Sequence, residues 1–208
     1  MKKWIEIIEV KFVFLMVFMH IWLLPKINIF FTGGILTLII ASWLYHKDSL
    51  DDLGLRWNFD EKYFWKLAQM VIFIISFIFF LGLFFNENLK LNGDLFLEIG
   101  KGLMGYVFWA LLQQIALNGF MVNRLRVLNN PENICVVAGV LFMAIHAPNP
   151  VLMIATLIGG SMSAYYFIFC NRNVYVLALA HALIAASIHY FLPEAWHYGL
   201  NIGPNYFK

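Results

Sequence analysis

Long apolar runs separated by short polar breaks organise this chain from one end to the other. A membrane-crossing helix needs roughly 20 mostly apolar residues to cover about 30 Å of hydrocarbon. Seven runs qualify as candidates, near residues 8–24, 27–45, 64–85, 100–123, 134–147, 151–170 and 174–192. The fifth is short and ends at Ala147-Pro148-Asn149-Pro150, where two prolines force a break. Pro25-Lys26 predicts a tight turn between the first two. The opening Met1-Lys2-Lys3 before an apolar run has the look of a signal peptide, but no small-residue cleavage site follows and another run starts at once. It is expected to stay as a first helix. The longest polar stretch, His46 to Lys62, is too short for a second domain. The pattern therefore predicts an all-α fold: a polytopic transmembrane helical bundle of about seven spans, with residues 1–208 as a single transmembrane domain.

Composition agrees. Of the 208 residues 62% are hydrophobic and 12% charged, with a mean hydropathy of +0.76. Soluble domains carry about 25% charged residues. These values exclude a disordered or collagenous chain, and with a net charge of +2 and no basic stripe they also argue against nucleic-acid binding. Cys135 and Cys170 lie inside apolar runs, so neither a disulfide framework nor a zinc-ligand spacing is present. With the N-terminus on one side, that side collects Lys2, Lys3, Lys11, Lys47, Arg56, Lys62, Lys66, Arg124, Arg126 and Arg172. The other collects Lys26, Lys90, Lys101 and Lys208. The positive-inside rule then predicts a plasma or inner membrane protein with a cytoplasmic N-terminus and an external C-terminus.

Polar residues within the runs are the functional candidates, because hydrocarbon burial is costly for them. His20, Gln69 and His189 lie near run ends and read as interhelical glue. Gln113, Gln114 and Asn118 share the fourth run, His146 ends the fifth, and His181 lies in the seventh. At about 1.5 Å per residue, Gln114 lies roughly 15 Å below Arg124, His146 about 20 Å below Asn133 and His181 about 12 Å below Asn173. Three helices thus place polar groups at similar depth, and they are expected to face one another. Gly159, Gly160 and Ala164, with Ala178, Ala182, Ala185 and Ala186, are expected to let the sixth and seventh helices approach closely.

Gln113-Gln114-Ile-Ala-Leu-Asn118, then Phe142-Met-Ala-Ile-His146, then His181-Ala-Leu-Ile-Ala185 stand in the order of three known motifs. They resemble Glu-Glu-x-x-x-Arg, Phe-x-x-x-His and His-x-x-x-Asn or Asp of the CPBP family. That family holds the CAAX prenyl-protein endopeptidases and the bacteriocin-processing and immunity proteins. The resemblance covers a core of about residues 95–190. It implies an intramembrane protease architecture, a water-activating base at position 113 working with a histidine, and an oxyanion donor at position 185. Both histidines and Phe142 match. Gln113, Gln114, Asn118 and Ala185 depart from the pattern.

The departures carry chemistry. A carboxylate can take a proton from water, whereas a carboxamide cannot. Each of the twelve acids lies in a loop or at a run end, and Glu98 is roughly 22 Å along the helix from Gln113. Loss of two acids together with one cation leaves a neutral set that strands no charge in lipid. The reading is a non-catalytic scaffold without cofactor or metal. It would bind an apolar or isoprenoid-like ligand, as the family's membrane-facing cavity implies, or serve as a subunit of a membrane complex. The alternatives are an active endopeptidase with His146 or His181 as base, and, last, a metal enzyme, which two imidazoles and amides support poorly.

Overall fold

The computed structural model describes residues 2–24 and 29–208, so the expected turn at Pro25-Lys26 lies outside the described residues. The chain is all helical, and no strand occurs among the described residues. Helix α1 spans Lys2–Leu23, α2 Ile29–His46 and α3 Glu61–Phe85. Helix α4, Gly93–Gln114, runs on through a π-helical segment, Ile115–Val122, into α5, Asn123–Leu125. Helices α6 (Pro131–Ile145), α7 (Pro150–Phe169) and α8 (Val174–Phe191) follow, and a short α9 (Glu194–His197) begins the C-terminal segment.

Side-chain caps set five of these starts. Asp60, Asn92, Asn130, Asn149 and Asn173 each accept a backbone N–H from the first turn of the helix that follows. Pro131 and Pro150 stand at the first helical position, where the missing N–H costs nothing. Two boundaries differ from the expectation. Helix α4 begins seven residues before the expected 100, because Asn92 caps it there. Helix α1 begins at Lys2 and not at 8, since its charged first turns are helical although they are not apolar.

Seven long helices thus stand where seven runs were read, but the number of spans is not fixed by this. Among the described residues five helical runs are long and apolar enough to cross a membrane: Ile29–His46, Glu61–Phe85, Gly93–Leu128, Pro150–Phe169 and Val174–Phe191. Helix α1 carries Lys2, Lys3, Glu6, Glu9 and Lys11, and α6 has 15 residues, about 22 Å of helix. Chain ends and loops nevertheless gather at two poles. At the pole of the N-terminus, Arg172 pairs with Asp52, and Asn171 and Asn173 bind the carbonyl of Asn58. At the opposite pole, Asn86 binds the carbonyl of Phe191, and Asn149 donates to the carbonyls of His197 and Asn201.

The small residues pair helices differently from the expectation. Gly160 of α7 meets α6, where an added Cβ would stand 3.1 Å from Gly139 Cα and 3.2 Å from Phe142 Cβ. Ala178 and Ala182 of α8 pack with Ala110 of α4. The dominant pairs are therefore α6 with α7 and α4 with α8, while α7 and α8 touch little. A face of small residues permits close approach but does not name the neighbour. The outer surface is apolar, with Phe73, Phe77, Phe80 and Phe84 of α3 exposed along one helical stripe. The protein is a helical membrane bundle.

Candidate functional site

The motif residues come from α4 and its π extension, the end of α6, and α8. Gln114 is the last residue before the π-helical segment, and Asn118 lies within it, fully buried. Such π insertions are rare and concentrate at functional sites. Successive residues of an α-helix point about 100° apart, and this separates the two glutamines. Gln114 turns inward and is buried, whereas Gln113 is half-buried beside Tyr106, which stands two turns earlier on the same face. The expected convergence therefore holds for Gln114 more directly than for Gln113.

Around Gln114 the hydrogen bonds form one connected group. Its Oε1 accepts from Asn118 Nδ2 at 2.6 Å and from Ser163 Oγ at 2.9 Å. Asn118 Nδ2 also lies 2.6 Å from Ser163 Oγ. With its oxygen engaged in this way, Gln114 presents Nε2 to His181 Nδ1 at 3.3 Å. His181 Nδ1 then accepts, the ring proton rests on Nε2, and that nitrogen faces the Tyr106 hydroxyl at 3.5 Å.

His146 is set differently. It caps α6, is 7% exposed, and its Nδ1 donates to the carbonyl of Phe142 at 2.8 Å. The Nε2 lone pair is left as an acceptor. Phe142 touches both imidazoles, its ring centroid 4.7 Å from that of His146 and 5.6 Å from that of His181, nearly perpendicular to each. Ala185 lies one turn beyond His181, buried, with a methyl group where a donor was implied. His146, Phe142, His181, Gln114 and Asn118 are thus brought together. The group is neutral throughout: amides, a hydroxyl, a phenol and two imidazoles.

Other polar candidates fall elsewhere. His20 Nε2 lies 3.4 Å from the Thr32 hydroxyl, with its ring stacked on Phe31, as interhelical glue would. Gln69 is exposed and glues nothing inside the bundle. His189 is exposed and packs its ring against Tyr190 and His197. Sequence reasoning missed Ser163, whose contact with Asn118 spans 45 residues of chain and has no local signature. It also missed Tyr106, which the two-turn spacing to Gln113 would have brought to notice. Arg124 enters the count of Lys and Arg only as one cation of the N-terminal side. It is in fact buried and pairs with Glu9 at 3.1 Å and with Asp48.

The family model described as Rce1-like, type II CAAX prenyl endopeptidase, matches residues 95–187, just under half of the chain. Over that segment the chain is similar to that family. The match agrees with the CPBP resemblance of the motifs and contains Gln113 to Asn118, Phe142, His146, Ser163, His181 and Ala185. No curated protein and no solved structure matches the chain. The Rce1-like segment therefore holds the whole neutral group, and α1 to α3 lie outside it.

Proposed function

We propose that this Rce1-like membrane protein is a single seven-span domain, with its core at about 95–190, that holds a ligand or a membrane partner without cleaving it. The observation that carries the reading is the connected set of neutral partners around Gln114: Asn118, Ser163 and His181. Gln113 and Gln114 cannot serve as bases, and Ala185 offers no donor to an oxyanion, a group worth about 10²–10³ in rate. A neutral polar group under an apolar exterior suits an apolar, isoprenoid-like ligand or a transmembrane segment of another subunit. The distribution of Lys and Arg supports a cytoplasmic N-terminus and an external C-terminus in a plasma or inner membrane. A C-terminal reporter that works only in the cytoplasm would contradict that orientation.

A second reading is an active endopeptidase. The Rce1-like match favours it, as does His146, whose Nε2 is free to accept a proton. Purified protein incubated with prenylated and unprenylated peptide tails separates the two. No cleavage is expected from the unmodified chain or from Gln113→Glu alone, because position 113 stands outside the Gln114 group and Ala185 still offers no donor to an oxyanion. Cleavage should emerge only when Gln113→Glu, Gln114→Glu, Asn118→Arg and Ala185→Asn are combined. Robust cleavage by the unmodified chain, abolished by His146→Ala, overturns the non-catalytic reading.

A further inference from the structure

The loop between α2 and α3 lies outside the Rce1-like match, yet it docks on the helices that carry the neutral group. Its backbone carbonyls make the contacts. The carbonyl of Asp52 accepts from Asn123 Nδ2 at 2.6 Å, that of Gly54 from the Val174 N–H at 3.1 Å, and that of Leu55 from the Tyr175 hydroxyl at 3.0 Å. Asn171 and Asn173 both donate to the carbonyl of Asn58, at 3.0 and 2.8 Å. Val174 and Tyr175 open α8, the helix of His181, and Asn123 follows the π-helical segment that holds Asn118. Residues 52–58 therefore bridge the two elements whose side chains meet at Gln114 and His181.

At Asn123 the bridge is most specific. A π segment spaces its hydrogen bonds i→i+5, so the return to a tighter helix leaves a carbonyl passed over by the backbone ladder. Buried carbonyls need a donor from elsewhere. The N–H of Asn123 goes to Phe120, while its side-chain Nδ2 donates to the carbonyl of Gly119 at 2.9 Å as well as to that of Asp52. The two amide hydrogens thus join the π segment to the loop. Gly119 faces the same loop: it is buried, and a Cβ there would stand 3.0 Å from the carbonyl oxygen of Leu53. Ala110, Ala178 and Ala182 bring α4 and α8 together before the π segment begins. They set the spacing of the two helices and leave the turn of the π segment to contacts further on.

We propose that Asn123 is a positioning residue of the neutral group: clamped between the carbonyls of Gly119 and Asp52, it holds the π segment in the register that turns Gln114 and Asn118 toward their partners. A loop outside the Rce1-like segment thereby sets the geometry inside it. Without the Asn123 amide, the Gly119 and Asp52 carbonyls lose their shared donor and the segment relaxes toward ordinary helical spacing. A one-residue change of register turns a side chain by about 100°, which carries Asn118 away from Gln114 and Ser163. The role concerns geometry alone and stands whether the group binds or cleaves.

Nitrogen NMR of the histidine side chains, on the full chain in nanodiscs, tests it, because the His181 Nδ1 signal reports whether Gln114 donates to that lone pair. Gln114→Leu fixes the signal of a ring without that donor. Asn123→Ala should carry the His181 signal most of the way to that position. Gly119→Ala, which presses a methyl group toward Leu53, should move it in the same direction. Asn123→Ser, whose one hydroxyl proton can reach the Gly119 carbonyl four residues back but not Asp52 as well, should fall between. Ile78→Ala opens a cavity on α3 in a separate apolar cluster; it should lower the melting temperature and leave the signal in place. A His181 signal unmoved in Asn123→Ala and Gly119→Ala, or moved as far by Ile78→Ala, overturns the assignment. If Asn123→Ala does not fold, the signals of Asn123→Ser and Gly119→Ala decide in the same way.

Discussion

One continuous helical run carries two polar regions built on opposite principles. Gln114 and Asn118 sit in a group where every partner is neutral, and Arg124, ten residues on, sits among carboxylates. Depth explains the contrast. Near the pole of the N-terminus, Glu9 and Asp48 keep 21% and 15% side-chain exposure, so their charges retain some hydration while they pair. Deeper in the bundle the same charges would have to be desolvated fully, and an amide network asks much less. The comparison teaches that this chain has not shed charge everywhere. Ionic contacts persist at the rim, and the motif positions further in are amides.

Removing the central residue of each region gives the largest expected effects and ranks them. Arg124→Leu leaves Asp48 without its cation and Glu9 with only Ser42 and His46, and breaking a buried pair in this way costs about 3–5 kcal/mol. The residual exposure of both acids places the effect toward the lower end of that range. Gln114→Leu leaves Asn118, Ser163 and His181 short of partners, about 1–3 kcal/mol for an unsatisfied buried group. Unfolding in detergent should rank Arg124→Leu as the more damaging. Glu9→Gln combined with Arg124→Leu should recover part of the loss, because the pair is coupled. Equal costs, or no recovery in the double variant, would break the distinction between the two regions.

Much of the fold was legible because two signals coincide along the chain. Apolar runs give the helices, and the prolines of Ala147-Pro148-Asn149-Pro150 give the break between α6 and α7. The apolar pattern does not show the Asn92 cap, so α4 starts seven residues before its run. The motif trio was legible as well, since spacing within a helix converts directly into depth and face. What escaped depends on contacts between distant segments. Ser163 joins Gln114 and Asn118 across two helices, Arg124 reaches back to α1, and the small face of α7 meets α6 instead of α8. Gln113 and Gln114 read as a pair, but adjacent helical positions diverge, and only the structure separates the inward amide from the half-buried one.

The smallest expected effect lies at the opposite pole, where a buried histidine is held without a carboxylate partner of the kind that holds His46. His197 is 1% exposed, its carbonyl accepts from Asn149 Nδ2 at 2.7 Å, and its ring packs against His189 at 5.4 Å. Burial, and then the neighbouring His189, lower its pKa from 6.5, while a backbone contact with Leu192 and the Glu194 carboxylate oppose this more weakly. The folded state therefore prefers the neutral ring. Its contribution to stability is present above the unfolded value of 6.5 and is lost as pH falls through the lowered folded value. Acid should loosen the docking of residues 194–203. Trp196, whose ring lies tilted 5.2 Å from that of Phe85, offers a fluorescence readout. Acidification should shift its emission in the unmodified chain and much less in His197→Asn. An unchanged acid response in that variant would assign the effect to other groups and remove the contrast between the two poles.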